Sequence, residues 1–259
     1  MNYTNKFTGK AGYYQSGRPK YARALFNYLE QVCGLSAESI LADIGCGTGI
    51  FTEQLLQTGC TVYGIEPNAD MRLAAKRSLQ KYSRCTLING YDQATGLPAH
   101  CVDFVTAAQA FHWFEPVGFF RECQRILKPG GSVIIIYNTR DSDSLSVIHL
   151  EQICRKYCPS FKGFSNGLKE SDISRFFGGE YEKQSFDNPL VYDNADAFIQ
   201  RILSSSYSLV PKDSKYGNYI HELRELFVTY AKSPGVSDKC RMIMPNHTMI
   251  YHGKITGRP

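Results

Sequence analysis

No stretch of this chain is apolar for long enough to cross a membrane as a helix. A membrane partner is therefore not expected. No block of lysine and arginine occurs, and the net charge of +5 is mild, so nothing demands a nucleic-acid partner. The nine cysteines form no C-x-x-C pair, and no histidine stands at finger spacing from Cys154 and Cys158. A zinc site is not expected, and no metal is assigned. An odd number of cysteines, several inside apolar segments, reads as reduced thiols acting as small hydrophobes. Met1 to Lys10 is polar and lacks the pattern of a secretory leader. A soluble, cytoplasmic protein is the expectation. The 259 residues, 43% of them hydrophobic, suffice for one large α/β domain spanning 1–259. Tryptophan occurs once, at Trp113.

What is present is organised around Leu41–Phe51, LADIGCGTGIF. An apolar run from Ile40 to Ile44 contains Asp43 and ends in glycines at alternate positions, Gly45, Gly47 and Gly49. Thr48 then opens a helical stretch closed by Gly59. The pattern predicts strand, tight turn and helix, with glycine where backbone must turn sharply or approach a ligand. The helix N-terminus offers unpaired N–H groups to a carboxylate or phosphate. A second strand, Thr61 to Ile65, ends in Glu66, where a carboxylate can accept from both hydroxyls of a ribose. The Rossmann fingerprint is G-x-G-x-x-G. Here Ile50 stands in place of the third glycine.

The stretch D-I-G-C-G-T-G, with an acid after the next strand, resembles the first two motifs of class I S-adenosylmethionine-dependent methyltransferases. Three further segments carry the resemblance. Tyr14, Arg18, Pro19 and Tyr21 form Y-x-x-x-R-P-x-Y, similar to the N-terminal signature of the trans-aconitate methyltransferase-like subgroup. Gln109 to Phe114, in A-Q-A-F-H-W-F, resembles that subgroup's fourth-strand motif, and L-K-P-G-G precedes a fifth strand. The N-P-P-Y pattern of many enzymes that methylate base amines is missing. The resemblance covers Phe7 to Tyr137 well and the remainder in outline. It implies a Rossmann-like αβα sandwich of three layers, with a mostly parallel seven-stranded sheet and an antiparallel last strand. It implies S-adenosylmethionine as cofactor, S-adenosylhomocysteine as product, and a small-molecule acceptor, a carboxylate among the candidates.

In chain order, a helix is expected from Pro19 to Gly34, then one from Pro67 to about Gln80 whose first turn holds Met71. Met71 either packs on an adenine ring, as the resemblance implies, or fills the core. Cys85–Asn89 and Val102–Ala108 read as strands, the latter buried on both faces. Between them Tyr91 and Asp92 resemble the family's adenine-side loop. The Asp92 side chain accepts from an adenine amino group or is a solvated turn residue, and backbone contact from both residues is the simpler expectation. A helix over 116–127 and a strand over 132–137 follow. Helices are expected over 144–157, 171–177, 194–203 and 219–232, and strands over 181–192 and 242–255. An N-terminal lid, 1–19, and an insertion over about 140–179 are expected to roof the acceptor pocket.

The chemistry is transfer of a sulfonium-bound methyl by in-line displacement. Positioning alone can lower such a barrier by roughly 7–11 kcal/mol. A base is dispensable for a carboxylate, and His112 is the candidate base where one is needed. The alternative for His112 is a histidine that bonds to backbone and packs on Trp113. Tyr14, Trp113 and Phe114 either lie near the sulfonium or simply wall the pocket. Arg18 either pairs with a carboxylate of cofactor or substrate, or forms an ordinary surface salt bridge. The expected cofactor set is Tyr14, Arg18, Asp43, Gly45, Gly47, Thr48, Gly49, Glu66, Pro67, Met71, Tyr91, Asp92 and Gln109, with Trp113 and Phe114 toward the acceptor. Two other readings stay open: a protein that binds S-adenosylmethionine or S-adenosylhomocysteine without catalysis, and an NAD-dependent oxidoreductase.

Overall fold

The computed structural model describes residues 18–164, 168–232 and 240–257. Tyr14 and most of the expected lid lie outside them. Strand β1 (Ile40–Ile44) is the apolar run before the glycines and is buried along nearly its whole length. It pairs in parallel with β2 (Thr61–Ile65) and β4 (Val102–Ala108), and β2 pairs in parallel with β3 (Cys85–Ile88). Strand β5 (Leu127–Arg140) continues the sheet beside β4. Strand β9 (Asn246–Gly253) runs antiparallel between β5 and β6 (Glu182–Asp187). The order is β3-β2-β1-β4-β5-β9-β6, the mostly parallel seven-stranded sheet with an antiparallel last strand that was expected.

Helices cover both faces. On one side α1 (Arg23–Gln31), α2 (Ile50–Leu56) and α3 (Ala69–Leu79) pack Leu25, Leu29, Phe51, Leu55 and Leu79 against the strands. On the other, α4 (Pro116–Ile126) and α6 (Glu170–Phe176) bring Phe119, Phe120, Ile173 and Phe176 beneath β4 and β5. A separate core joins α5 (Leu145–Tyr157), α7 (Ala195–Leu203) and α8 (Tyr216–Tyr230) to a two-stranded ribbon of β7 (Leu190–Tyr192) and β8 (Met242–Met244). The segment 140–179 is thus divided. Its first helix feeds this separate core and its second feeds the sheet.

Several boundaries differ from the sequence reading. Strand β5 starts at Leu127 and ends at Arg140, so it takes in the L-K-P-G-G stretch expected to precede a strand over 132–137. Helix α1 starts at Arg23, past Pro19. The backbone before it is pinned elsewhere: Tyr21 N donates to Gln54 Oε1 (2.9 Å) and Ala22 N to Thr248 Oγ1 (2.9 Å). The strand expected over 181–192 is two, β6 and β7, broken at Pro189, which has no N–H for a ladder. The strand expected over 242–255 breaks likewise at Pro245 into β8 and β9. Each proline marks where the chain leaves or rejoins the main sheet.

Phe119 is fully buried, with ring centroids 4.8 Å from Phe114 and 5.3 Å from Phe176. Phe119→Ala is expected to cost about 3–5 kcal/mol. Urea unfolding measures it, and a loss below about 1 kcal/mol would mean that this face is loosely packed.

Candidate active site

The cavity opens where parallel strands end in carboxyl termini, the place for ligands in open α/β sheets. Asp43 lies beside Gly64 on β2 and Thr106 on β4. It is fully buried. Its Oδ2 accepts from Thr52 Oγ1 (2.6 Å) on α2 and its Oδ1 from Thr106 Oγ1 (2.9 Å). Burial lifts its carboxyl from the ordinary 3.8 to about 6, against the pull of both hydroxyls. Glu66, also buried, reaches back over the turn. Its Oε2 accepts from Gly47 N (2.9 Å) and its Oε1 from Asn68 N (2.8 Å). Burial raises its pKa, and those two N–H groups oppose the rise.

The three glycines do different work. Gly45, at φ +71°, presses on β4's exit: a Cβ there would stand 2.7 Å from Ala110 Cβ. Gly47, at φ +59°, has nothing within 4 Å where its Cβ would stand. Gly49, at φ +83°, faces Leu79 and caps α2 rather than lining the cavity. Thr48 is buried and its Oγ1 has no hydrogen-bond partner among the described residues. Around these residues lies a cavity of about 720 Å³, within the usual range for small-molecule sites. Asp43, Gly45, Gly47, Thr48, Glu66, Pro67 and Met71 line it, and so do Tyr91, Asp92, Gln109, Trp113, Phe114 and Arg18. These expected residues are brought together from five separate stretches of chain. Asp92 is turned to structural use as well, its Oδ2 accepting from Glu115 N (2.8 Å) at the start of α4.

The residues fit S-adenosylmethionine. Glu66 is an acceptor-only carboxylate with lone pairs to spare, suited to a ribose diol. Gly47 leaves open space for close approach, and the orphaned Thr48 hydroxyl can meet a polar group. Residues 42–135 match the family described as Methyltransferase domain. Over those residues the chain is similar to methyltransferase domains. An uncharacterized methyltransferase of Mycobacterium tuberculosis is 32% identical over 135 residues, 52% of this chain and 53% of that protein. The chain thus spans about half the length of that curated relative. The ubiquinone biosynthesis O-methyltransferase of a Bradyrhizobium species is 32% identical over 177 residues, 65% of either chain. A solved structure, a candidate type II methyltransferase from Anaeromyxobacter dehalogenans, superposes with a TM-score of 0.65 at 21% identity. That match covers 93% of this chain and 99% of the other, and it shows the shared fold.

The chain has two features at the exit of β4 that its sequence does not announce. Gln109 takes φ +55°, uncommon without glycine, and its Nε2 donates to Asn138 O (2.8 Å). His112 follows in a short 3₁₀ turn, Phe111–Trp113, and lines a second, smaller cavity rather than the large one. Burial, with Arg18 nearby, pulls its pKa from 6.5 down to about 4, so the imidazole is neutral. Tyr137 Oη accepts from His112 N (3.0 Å) and lies 3.0 Å from Nδ1. Donating to Nδ1 satisfies the buried tyrosine proton, which leaves the histidine proton on Nε2. Asn138 and Arg201 also border the large cavity and were not anticipated. Arg201 belongs to α7, far along the chain, and no spacing in the sequence ties it to the glycine turn.

Because the folded-state pKa of Asp43 is raised, the native protein binds a proton more readily than the unfolded chain between pH 3.8 and about 6. This group therefore makes stability fall as pH rises through that window, with no further change above it. The stability difference between wild type and Asp43→Asn, measured by urea unfolding across pH, should shift in the variant's favour over that interval. A difference independent of pH would refute the assignment.

Proposed function

We propose that the protein binds S-adenosylmethionine and transfers its methyl group to a small molecule, with a carboxylate oxygen as the first acceptor to test. The supporting observation is that Glu66, bonded to Gly47 N beside the open side of that glycine, shares one cavity with Trp113 and Phe114. When bound, the cofactor supplies an electrophilic methyl on sulfur. The chain's part is binding and orientation. Glu66 accepts from the ribose, Gly45, Gly47 and Thr48 border the methionine moiety, and Pro67, Met71, Tyr91 and Asp92 border the adenine. Trp113 and Phe114 exclude water from the acceptor side, together with Arg18 and Arg201. His112, neutral and protonated on Nε2, serves better as a hydrogen-bond donor than as a base, and a carboxylate acceptor has no proton to lose. Tyr14 and the rest of the N-terminal segment are proposed to close over this site. The nine free thiols are in keeping with a reducing, cytoplasmic setting.

Calorimetry with S-adenosylmethionine, S-adenosylhomocysteine and NAD tests the reading. The first two should bind and NAD should not; binding of NAD alone would sink it. Glu66→Gln keeps the shape but replaces a charged acceptor. It is expected to weaken cofactor binding by about 1.5–3 kcal/mol.

Gly47→Val places a branched side chain in the cavity at a left-handed backbone position, which costs roughly 1–2 kcal/mol by itself. Affinity for S-adenosylhomocysteine should become undetectable while the circular dichroism of the fold persists. Retained affinity would show that the cofactor does not approach this turn.

A further inference from the structure

Beside the large cavity is a second one of about 50 Å³, room for a carboxylate and a water but not for a ring. Its wall is cationic. Arg140 enters from the end of β5, Arg201 from α7 and Arg18 from the segment before α1. Arg201 is 9% exposed and Arg140 half-buried. Nε and Nη2 of Arg140 and Nε of Arg201 are buried with no hydrogen-bond partner among the described residues. The other Arg201 contacts are long ones to hydroxyls, Ser204 Oγ at 3.3 Å and Ser205 Oγ at 3.4 Å. Arg140 stacks on Phe164, 4.2 Å from the ring centroid, which fixes the guanidinium without neutralising it.

No acidic side chain forms an ion pair with Arg140 or Arg201 among the described residues. The remaining stretches contain a single acid, Asp238. Burial and the charges of Arg18 and Arg140 all disfavour the charged form of Arg201. An unpaired buried charge is costly, and a fold does not retain one for stability. A planar fork of donors suits a carboxylate.

We infer that Arg140 and Arg201 form a carboxylate-recognition subsite for the methyl acceptor, separate from the turn and from Glu66. The acceptor is a small organic acid held by one carboxylate in the smaller cavity, with its reacting atom in the larger. The two cavities are neighbours: Trp113, Gln109 and Asn138 border both, as do Arg18 and Arg201. This rests on the methyltransferase reading for the word acceptor; the anion subsite itself does not need it.

Acetate, succinate, tricarballylate, neutral succinamide and inorganic phosphate, titrated by calorimetry into protein saturated with S-adenosylhomocysteine, form the test. At least one carboxylate should bind, and succinamide should not. Arg140→Gln and Arg201→Met should each weaken that binding about tenfold or more, with S-adenosylhomocysteine affinity unchanged in Arg140→Gln, since Arg140 does not line the large cavity. Arg201→Met should also keep or raise the melting temperature, as expected when an unpaired buried charge is replaced by an apolar chain. If Arg201→Met does not fold, Arg140→Gln carries the test. The inference is overturned if no carboxylate binds, or if the variants bind it as the wild type does. It is equally overturned if both lose S-adenosylhomocysteine in parallel, since the arginines would then serve the cofactor's own carboxylate, or if phosphate outcompetes every carboxylate. Failure to bind S-adenosylhomocysteine at all would instead refute the earlier reading, and the same titrations on the unliganded protein would still decide the subsite.

Discussion

Two buried carboxylates hold the turn between β1 and α2 from opposite sides. Asp43 ties β1 to α2 through Thr52 and to β4 through Thr106. Glu66 ties the end of β2 to the turn through Gly47 N and to the start of α3 through Asn68 N. Five elements, β1, β2, β4, α2 and α3, are joined here by hydrogen bonds to charged acceptors, the stronger kind. The turn is bent into left-handed backbone at each of its three glycines, and these bonds keep it there. Burying Asp43 is unfavourable, as its raised pKa records. That cost is tolerated at the place where the chain must be held open for a ligand.

The cavity follows from this clamp. Gly45 N and Cys46 N both donate to Ile65 O (2.8 and 3.1 Å), so the turn stays level with the end of β2 and cannot collapse over it. On the far side Gln109 leaves β4 in a left-handed conformation and is secured by Gln109 N to Ile136 O (2.8 Å). Strain at such a residue persists only where surrounding bonds over-determine it. It throws Phe111 into the core and leaves Trp113 and Phe114 along the cavity wall. The aromatic run is thus split between packing and site by one backbone torsion.

The alternation of glycines and the acid after β2 made this half of the site legible, because they are local patterns with a direct backbone meaning. Asp43 was legible as important but not in its manner. Only the fold reveals that its oxygens are taken by two threonines nine and sixty-three positions away. Gly49 was misjudged in kind, since a glycine that clears Leu79 looks in sequence like one that clears a ligand. The sheet order was legible through resemblance. The separate helical core was not, since its helices read as ordinary amphipathic segments and nothing local tells which face another helix will cover. Arg201 was invisible for the same reason: it is one arginine on such a helix, and only tertiary packing carries it to the cavity.

The prolines at 189 and 245 have a consequence for how such a molecule can change. The chain leaves the sheet after β6 and returns at β9 through neighbouring points, with Asn188 N donating to Asn246 O (2.8 Å). The whole excursion between them, with β7, α7, α8 and β8, is therefore a closed loop on a fixed base. Lengthening or replacing it would leave the register of β5, β9 and β6 untouched, and the entropy of closing a loop grows only slowly with its length. The clamp and the glycine turn lie entirely outside that excursion, whereas Arg201 lies within it. Among the described residues that line the cavity, Arg201 alone comes from the excursion, so it could change while the turn and the clamp stay as they are.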